Sequence, residues 1–393
     1  MTAPASRRAG PVAVGFFSLL PLGAAAGAMV APVLLALAGL LNVDFRRLRE
    51  DVAATPGPLW LVLAFAAWAA ASSFWSPFHN HGQALRLWGT LLPGLLFIVA
   101  AQRDASSRRW TRAAGIAAVV ALIALLALEA LYEMPLNRAF NHTAPTWQIE
   151  RNPGRGVSIL LAMVWAVSAS LIAAGAPRRW IGLALLAAAG VLSAQFEDYA
   201  NLAAFALGLI AFAAGAWLPR LATLLVTWSL AAWLLAAPFV TPLIIAHQKL
   251  IDALPYSWAA RMGIWRYVCG RIAAQPVIGS GMDASRAVTD TITVRDVTMR
   301  AVQLHPHSGS LQIWFESGGV AAVIAACALL WSGWSMSRVV ATRRAQAAAI
   351  CATFAALGAI ANISYGIWQE WWDATLLIGA CLLMTMGRPS ADA

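Results

Sequence analysis

Apolar and polar positions in this chain fall into long blocks, not into the residue-by-residue alternation of strands. Runs dominated by Ala, Leu, Val and Trp occupy 11–25, 28–42, 58–76, 86–101, 113–132, 157–176, 179–194, 200–217, 220–236, 311–335, 345–363 and 367–386. Each approaches the roughly 20 apolar residues that a helix needs to cross a bilayer. The pattern predicts an all-α polytopic membrane protein with about twelve transmembrane helices, the first two paired as a hairpin. A long polar interval divides the blocks unevenly. The expected organisation is an N-terminal bundle of about nine spans over 1–236, a large external loop over 237–310, and about three C-terminal spans within 311–393.

Inside the loop, Tyr256 to Ile272 follows the helical period. Trp258, Met262, Trp265, Val268, Cys269 and Ile272 form one apolar stripe at about 100° per residue, as an amphipathic helix on the membrane surface would. Arg266 and Arg271 fall off the stripe. Arg261 falls within it, so it either snorkels to water or a structural carboxylate, or points into a site and meets an anion.

Composition agrees with the blocks: 61% hydrophobic, 11% charged, mean hydropathy +0.70. A soluble domain of this size could not hide that much apolar surface. Cys269, Cys327, Cys351 and Cys381 are scattered, three of them in apolar runs, which argues against a disulfide framework or a zinc site. Arg7 and Arg8 precede an apolar run that leads into further spans, so no cleavable signal is expected. The net charge of +10 does not predict a nucleic-acid partner, because the arginines, and Lys249 as the only lysine, lie in loops between spans. They are densest where an inside N-terminus puts cytoplasmic segments, from Arg7 and Arg8 through Arg103 to Arg112 and on to Arg338, Arg343, Arg344 and Arg388. Both termini are then cytoplasmic, and 133–156 and 237–310 face outside. Trp60, Trp75, Trp110, Trp180, Trp217 and Trp371 sit near span ends, as an interfacial belt contacting membrane lipids.

The unusual polar residues gather at the outer surface. His305-Pro306-His307-Ser308 stands directly before a span that carries Gln312, Glu316 and Gly319 at i, i+4, i+7, one helical face. Such groups cost several kcal/mol in hydrocarbon unless partnered or wetted. Glu316 is read either as structural pairing or as part of a site. Arg155, in Asn152-Pro153-Gly154-Arg155-Gly156, is placed just before the span from Val157. There it is a turn arginine solvated by headgroups, or it joins the helix's free N–H groups in holding an anion. His307 is an exposed loop histidine or an acid–base group, since imidazole near neutral pH can take a proton from a hydroxyl. His79 and His81 supply two metal ligands, too few for a site. The Asn141-His142-Thr143 sequon carries little weight, and Glu197-Asp198-Tyr199 reads as a solvated external turn.

His307-Ser308, nine residues, then Gly318-Gly319 resembles the external motif of the O-antigen ligase family: His, then Asn, Ser or Gln, nine residues, then Gly-x-x-Gly. Arg261-Met262-Gly263-Ile264-Trp265 and Pro276-Val277-Ile278-Gly279-Ser280-Gly281 are similar to that family's Arg-x-x-Ile-Trp helix and its Pro-hydrophobic-hydrophobic-Gly-x-Gly turn. Arg155-Gly156 is similar to the Arg-Gly that opens a middle span. Two departures stand out. Ala321 occupies the place of the second glycine, and the turn Ser193-Ala194-Gln195-Phe196-Glu197 lacks the arginine often found there.

The resemblance implies a multi-span glycosyltransferase bundle like the lipid-phosphosugar-dependent (GT-C-like) class, in a bacterial inner membrane with its site on the periplasmic face. It implies transfer of a preassembled glycan from undecaprenyl pyrophosphate to the lipid A–core oligosaccharide, with neither ATP, cofactor nor obligatory metal. Arg155 and Arg261 would bind the pyrophosphate and stabilise it as it leaves. His307 would act as base or orient the pyrophosphate, with Glu316, Gln312 and His305 among the substrate contacts. An O-antigen polymerase or a protein O-oligosaccharyltransferase would look similar, although the short C-terminus after Arg388 lacks the external domain of many protein-modifying members. A transporter or flippase would instead need ionisable groups near mid-bilayer and inverted repeats. Glu129 is the main deep candidate, and no repeat is evident.

Overall fold

A computed structural model describes residues 8–53, 55–196 and 199–386; Arg7, Glu197, Asp198 and Arg388 lie outside the described residues. In chain order the helices are α1 (Ala9–Ala25), α2 (Ala31–Leu41), α3 (Leu48–Ala53), α4 (Gly57–Ser72), α5 (Gly82–Gln102), α6 (Ala105–Leu131), α7 (Pro135–Phe140), α8 (Thr146–Ala173) and α9 (Arg178–Ser193). They continue as α10 (Tyr199–Trp217), α11 (Pro219–Ile244), α12 (Gln248–Ala253), α13 (Tyr256–Ala274), α14 (Ala284–Ala287), α15 (Gly309–Val339), α16 (Arg344–Ile363) and α17 (Glu370–Met386). Two strands, β1 (Thr291–Val294) and β2 (Val297–Arg300), pair antiparallel.

Each of the predicted apolar segments coincides with a helix. Among the described residues, 8 helices are long and apolar enough to cross a membrane, and the chain is an all-α polytopic membrane protein. The other four are shorter: 17 residues in α1 and in α17, 16 in α9 and 11 in α2. At 1.5 Å per residue α2 rises only about 16 Å, roughly half the hydrocarbon thickness, so the expected hairpin is not two full spans. The chain instead continues through α3 to the far end of α5, where Arg103 Nη2 meets Asp51 Oδ2 at 2.5 Å.

The middle of the bundle is α8. Of its 18-residue apolar window 78% is buried, and α1, α6, α9, α16 and α17 pack around it. Trp165 at its centre is fully buried and stacked on Phe205 of α10, ring centroids 5.4 Å apart. Whatever α8 presents at its N-terminal end therefore stands near the axis of the bundle.

Two prolines move the expected boundaries. The helix of α8 runs through Pro153 and begins at Thr146, eleven residues before Val157. Likewise α11 continues through Pro238 and Pro242 to Ile244. Pro238 has no N–H for the carbonyl of Leu234. Trp314 Nε1 donates to that carbonyl at 2.8 Å, which leaves the interrupted helix satisfied.

In the interval between α11 and α15, α13 matches the expected amphipathic helix, with Met262, Val268, Cys269 and Ile272 buried and Arg266 and Arg271 exposed. The hairpin β1–β2 departs from the helical expectation. Arg295 (φ 48) and Asp296 (φ 65) close it with a two-residue turn of left-handed residues, the kind whose twist matches paired strands. Alternating β-branched residues in Thr291-Ile292-Thr293-Val294 are the sequence signal for it.

Candidate functional site

Ser308 caps the start of α15, and the backbone leaves the helix at Gly318 (φ 72, ψ −176), a region essentially confined to glycine. The turn Pro276–Gly281 enters that break. Ser280 N donates to Phe315 O at 2.8 Å and Gly281 N to Glu316 O at 2.7 Å, while Gly319 N and Val320 N donate to Pro276 O and Val277 O at 2.8 and 3.2 Å. Gly279 (φ +69) lies so close that a Cβ there would stand 2.6 Å from Gly318 N. Two tryptophans, one on α4 and one in the turn just after it, close the joint, Trp68 Nε1 on Ser317 O at 2.8 Å and Trp75 Nε1 on Gly279 O at 3.2 Å. The two glycine motifs are thus halves of one joint. The break also resets the helical phase, so Gly319 does not continue the face of Gln312 and Glu316 as its spacing predicted.

That face is packed against protein. Glu316 is fully buried: Oε2 accepts from Asp283 N at 3.0 Å and from Trp368 Nε1 at 2.5 Å, and Oε1 accepts from Ser285 N, Ser285 Oγ and Gln312 Nε2. Gln312 Oε1 accepts from Ile367 N at 2.9 Å. Glu316 and Gln312, read in the sequence as substrate contacts, hold the loop between α16 and α17. His305 is enclosed in the same way. It is only 8% exposed, and its Nδ1 accepts from His307 N at 3.2 Å.

The fixed loop in turn fixes His307. The Ser364 carbonyl is 2.7 Å from His307 Nδ1, and a carbonyl can only accept, so in the neutral ring the proton sits on Nδ1 and the lone pair on Nε2. The histidine adopts φ 57, held by its N–H on His305 and by the edge-to-face contact of the two rings, centroids 4.5 Å apart. Burial lowers the His307 imidazole to about 4, the hydrogen bond to Ser364 opposing, with Arg261 and Arg151 adding to the fall. His305 is held well below the usual histidine range by burial, then by His307, Arg286 and Arg261. Both rings are neutral at pH 7.

Guanidinium groups approach from two helices. On α13, Arg261 stacks over Trp258 at 4.9 Å, and one turn on Trp265 Nε1 donates to Pro306 O at 2.9 Å, tying this helix to the residue before His307. On α8, Arg155 lies over Trp371 at 5.8 Å, and Trp371 meets Tyr365, beside Ser364, at 4.5 Å. Arg155 Nη1 also donates to Asn152 Oδ1 at 3.2 Å. Because α8 begins at Thr146, Arg155 is in its third turn and not at its N-terminus. The free N–H groups expected to work beside it are not there.

The structure thus brings Arg155, Arg261 and His307 to one end of the bundle and sets Glu316, Gln312 and His305 behind them as support. Sequence reasoning missed Ser364, Tyr365 and Trp368, which lie 57 to 61 positions from His307 or more than fifty from Glu316 and carry no local pattern. It also passed over Arg151, whose i, i+4 relation to Arg155 is visible only once α8 is known to start at Thr146. Glu129 is structural: its oxygens accept from Leu136 N (2.7 Å), Asn137 N (3.1 Å) and Asn137 Nδ2 (2.6 Å), capping α7. His81 Nδ1 lies 3.2 Å from Ser73 Oγ. Among the described residues, no three His, Cys, Asp or Glu side chains are grouped to hold a metal ion.

The chain is similar to a protein of Rickettsia typhi named "putative polysaccharide ligase", 26% identical over 239 residues, which cover 59% of this chain and 57% of that protein. Namesakes from Rickettsia felis and Rickettsia conorii are 23% and 24% identical over 261 residues, 65% of this chain and 62% and 61% of theirs. The chain spans about three fifths of the length of these curated relatives. The similarity is consistent with an O-antigen ligase family. No family model and no solved structure matches the chain.

Proposed function

We propose that this protein is a glycan ligase of the O-antigen ligase type, transferring a preassembled glycan from undecaprenyl pyrophosphate to the lipid A–core oligosaccharide. In this reading the His307 end of the bundle faces the periplasm, the membrane is the bacterial inner membrane, both termini are cytoplasmic, and no ATP is used. The observation that carries it is His307, held as a neutral imidazole with a free Nε2 and flanked by guanidiniums from α8 and α13. The names of the Rickettsia relatives support a polysaccharide-joining activity in the same direction.

The chemistry follows from that arrangement. Arg155 and Arg261 hold the donor's pyrophosphate in forks that suit phosphate oxygens. Its negative charge offsets theirs, which raises the proton affinity of the imidazole just when a base is needed. Nε2 of His307 accepts the proton of an acceptor hydroxyl, the hydroxyl oxygen attacks the anomeric carbon, and the carbon–oxygen bond to pyrophosphate breaks. The arginines stabilise the charge that the pyrophosphate takes on as it leaves. His307 is the base in this account, because Ser364 commits Nδ1 as a donor. The buried assignment of Glu129 to α7 removes the main deep carboxylate a transporter reading would use.

The test is glycan transfer in proteoliposomes from undecaprenyl-pyrophosphate glycan to lipid A–core, without ATP. Transfer by the wild type, and its loss in Arg155→Ala, Arg261→Ala and His307→Ala, is the expected result. Longer lipid-linked chains without transfer to lipid A–core would instead make the protein a polymerase, and no bond formation with either acceptor would refute the reading.

A further inference from the structure

The α8 face that carries Arg155 carries a second arginine one turn nearer the helix start. Arg151 and Arg155 stand at i, i+4, where like charges repel by a few tenths of a kcal/mol, so stability alone does not select the pair. Among the described residues neither Arg151 nor Arg155 has a carboxylate within ion-pair distance. The buried carboxylate of Glu316 is committed to backbone, serine, glutamine and indole donors. The Arg151 side chain is exposed, and its guanidinium lies over Trp147 at 5.7 Å. A ring under the flat of a guanidinium fixes its plane and leaves the edge N–H groups to a ligand.

Both arginines belong to the His307 end. Arg155 reaches it through Trp371 and Tyr365, and Arg151 is close enough to His307 to oppose its protonation. The described part of the turn after α9, Ser193 to Phe196, supplies no cation to this end. Since α8 runs from this end into the bundle, Arg151 lies further out than Arg155 by about one turn, roughly 6 Å. A polyprenyl tail must lie among the spans, so the phosphate it carries is the inner one and the sugar-linked phosphate is the outer one.

We propose that Arg151 is a third guanidinium contact for the donor, gripping the outer, sugar-linked phosphate of a polyprenyl pyrophosphate while Arg155 and Arg261 hold the inner one. This rests on the donor reading given above, and the experiment keeps the two apart. Titrate geranylgeranyl pyrophosphate and geranylgeranyl monophosphate into the full-length protein in detergent by calorimetry, for wild type, Arg151→Ala and Arg151→Lys. Removing one charge-assisted hydrogen bond at an exposed site predicts about tenfold weaker pyrophosphate binding in Arg151→Ala. Monophosphate binding stays near wild type, and Arg151→Lys recovers part of the pyrophosphate affinity. Unchanged pyrophosphate affinity in Arg151→Ala overturns the contact and leaves the donor reading standing. Equal weakening for both phosphates also overturns it, since that is diffuse charge and not a grip on the outer phosphate. If the wild type binds neither ligand, the donor reading fails and takes the contact with it. A matching thermal unfolding midpoint for both variants shows that the weakening is not one of folding.

Discussion

Replacing Gly318 with alanine should open the joint on which the candidate site is built. At φ 72 and ψ −176 an L-residue is strained by roughly 1–3 kcal/mol. The new Cβ would overlap the Val277 carbonyl oxygen and stand 2.5 Å from Ile278 C and 2.6 Å from Gly279 N, all backbone atoms that cannot rotate away. The inserted turn must then withdraw, and with it go the bonds from Ser280, Gly281, Gly319 and Val320, each worth about 1 kcal/mol net. The expected cost is about 5–7 kcal/mol, felt locally at the turn. Gly319→Ala is the internal control. Its Cβ would meet Trp314 Cζ3 at 3.0 Å and Pro276 O at 3.1 Å, a squeeze of tenths of an ångström. That squeeze is set against the roughly 0.5–1 kcal/mol alanine gains over glycine in a helix. Hydrogen exchange at the Ser280 and Gly281 amides in purified protein reads the difference. Gly318→Ala should expose both amides and abolish transfer, and Gly319→Ala should leave both nearly unchanged. Equal protection in the two variants would refute the account of the joint.

Three further results are expected. Since His307 titrates near 4 in the folded protein against about 6.5 unfolded, its contribution to stability is present above pH 6.5 and declines as pH falls toward 4. The acid limb of kcat/KM for transfer should accordingly lie well below pH 6.5 and move upward once donor is bound, read from pH–rate profiles at low and saturating donor. Glu316→Gln sets an amide group against the donors from Asp283, Ser285 and Trp368 and should cost roughly 2–4 kcal/mol in thermal unfolding. Transfer should fall through the displaced loop while donor binding persists. Trp314→Phe frees the Leu234 carbonyl and should cost about 1–2 kcal/mol. In a Pro238→Ala background the new N–H can take that carbonyl, so a double-mutant cycle should show most of the stability recovered.

The hydrophobic blocks located every long helix, because membrane solvent leaves few alternatives to a helix wherever a chain is apolar for this length. Boundaries failed at proline. Asn152-Pro153-Gly154 read as a turn, and the span from 220 was ended at 236, short of Pro238, because the tryptophan that satisfies the Leu234 carbonyl is 80 positions away in sequence. His307, Arg155 and Arg261 were legible as polar groups with no reason to be near hydrocarbon. The roles of Glu316, Gln312 and His305 were not, since a buried carboxylate looks the same in sequence whether it meets a substrate or the backbone N–H of Asp283. The glycines of both motifs were visible, but their meaning appears only where Gly279 and Gly318 touch.

The central claim is that one imidazole makes the bond while the arginines hold the donor. The most direct measurement is a single-turnover reaction of His307→Ala with undecaprenyl-pyrophosphate glycan and lipid A–core in proteoliposomes, with donor binding measured on the same sample. The account predicts donor affinity close to wild type, with formation of the glycan–core bond slowed by about 10²-fold or more. Bond formation at the wild-type rate, or loss of donor binding together with transfer, would contradict it.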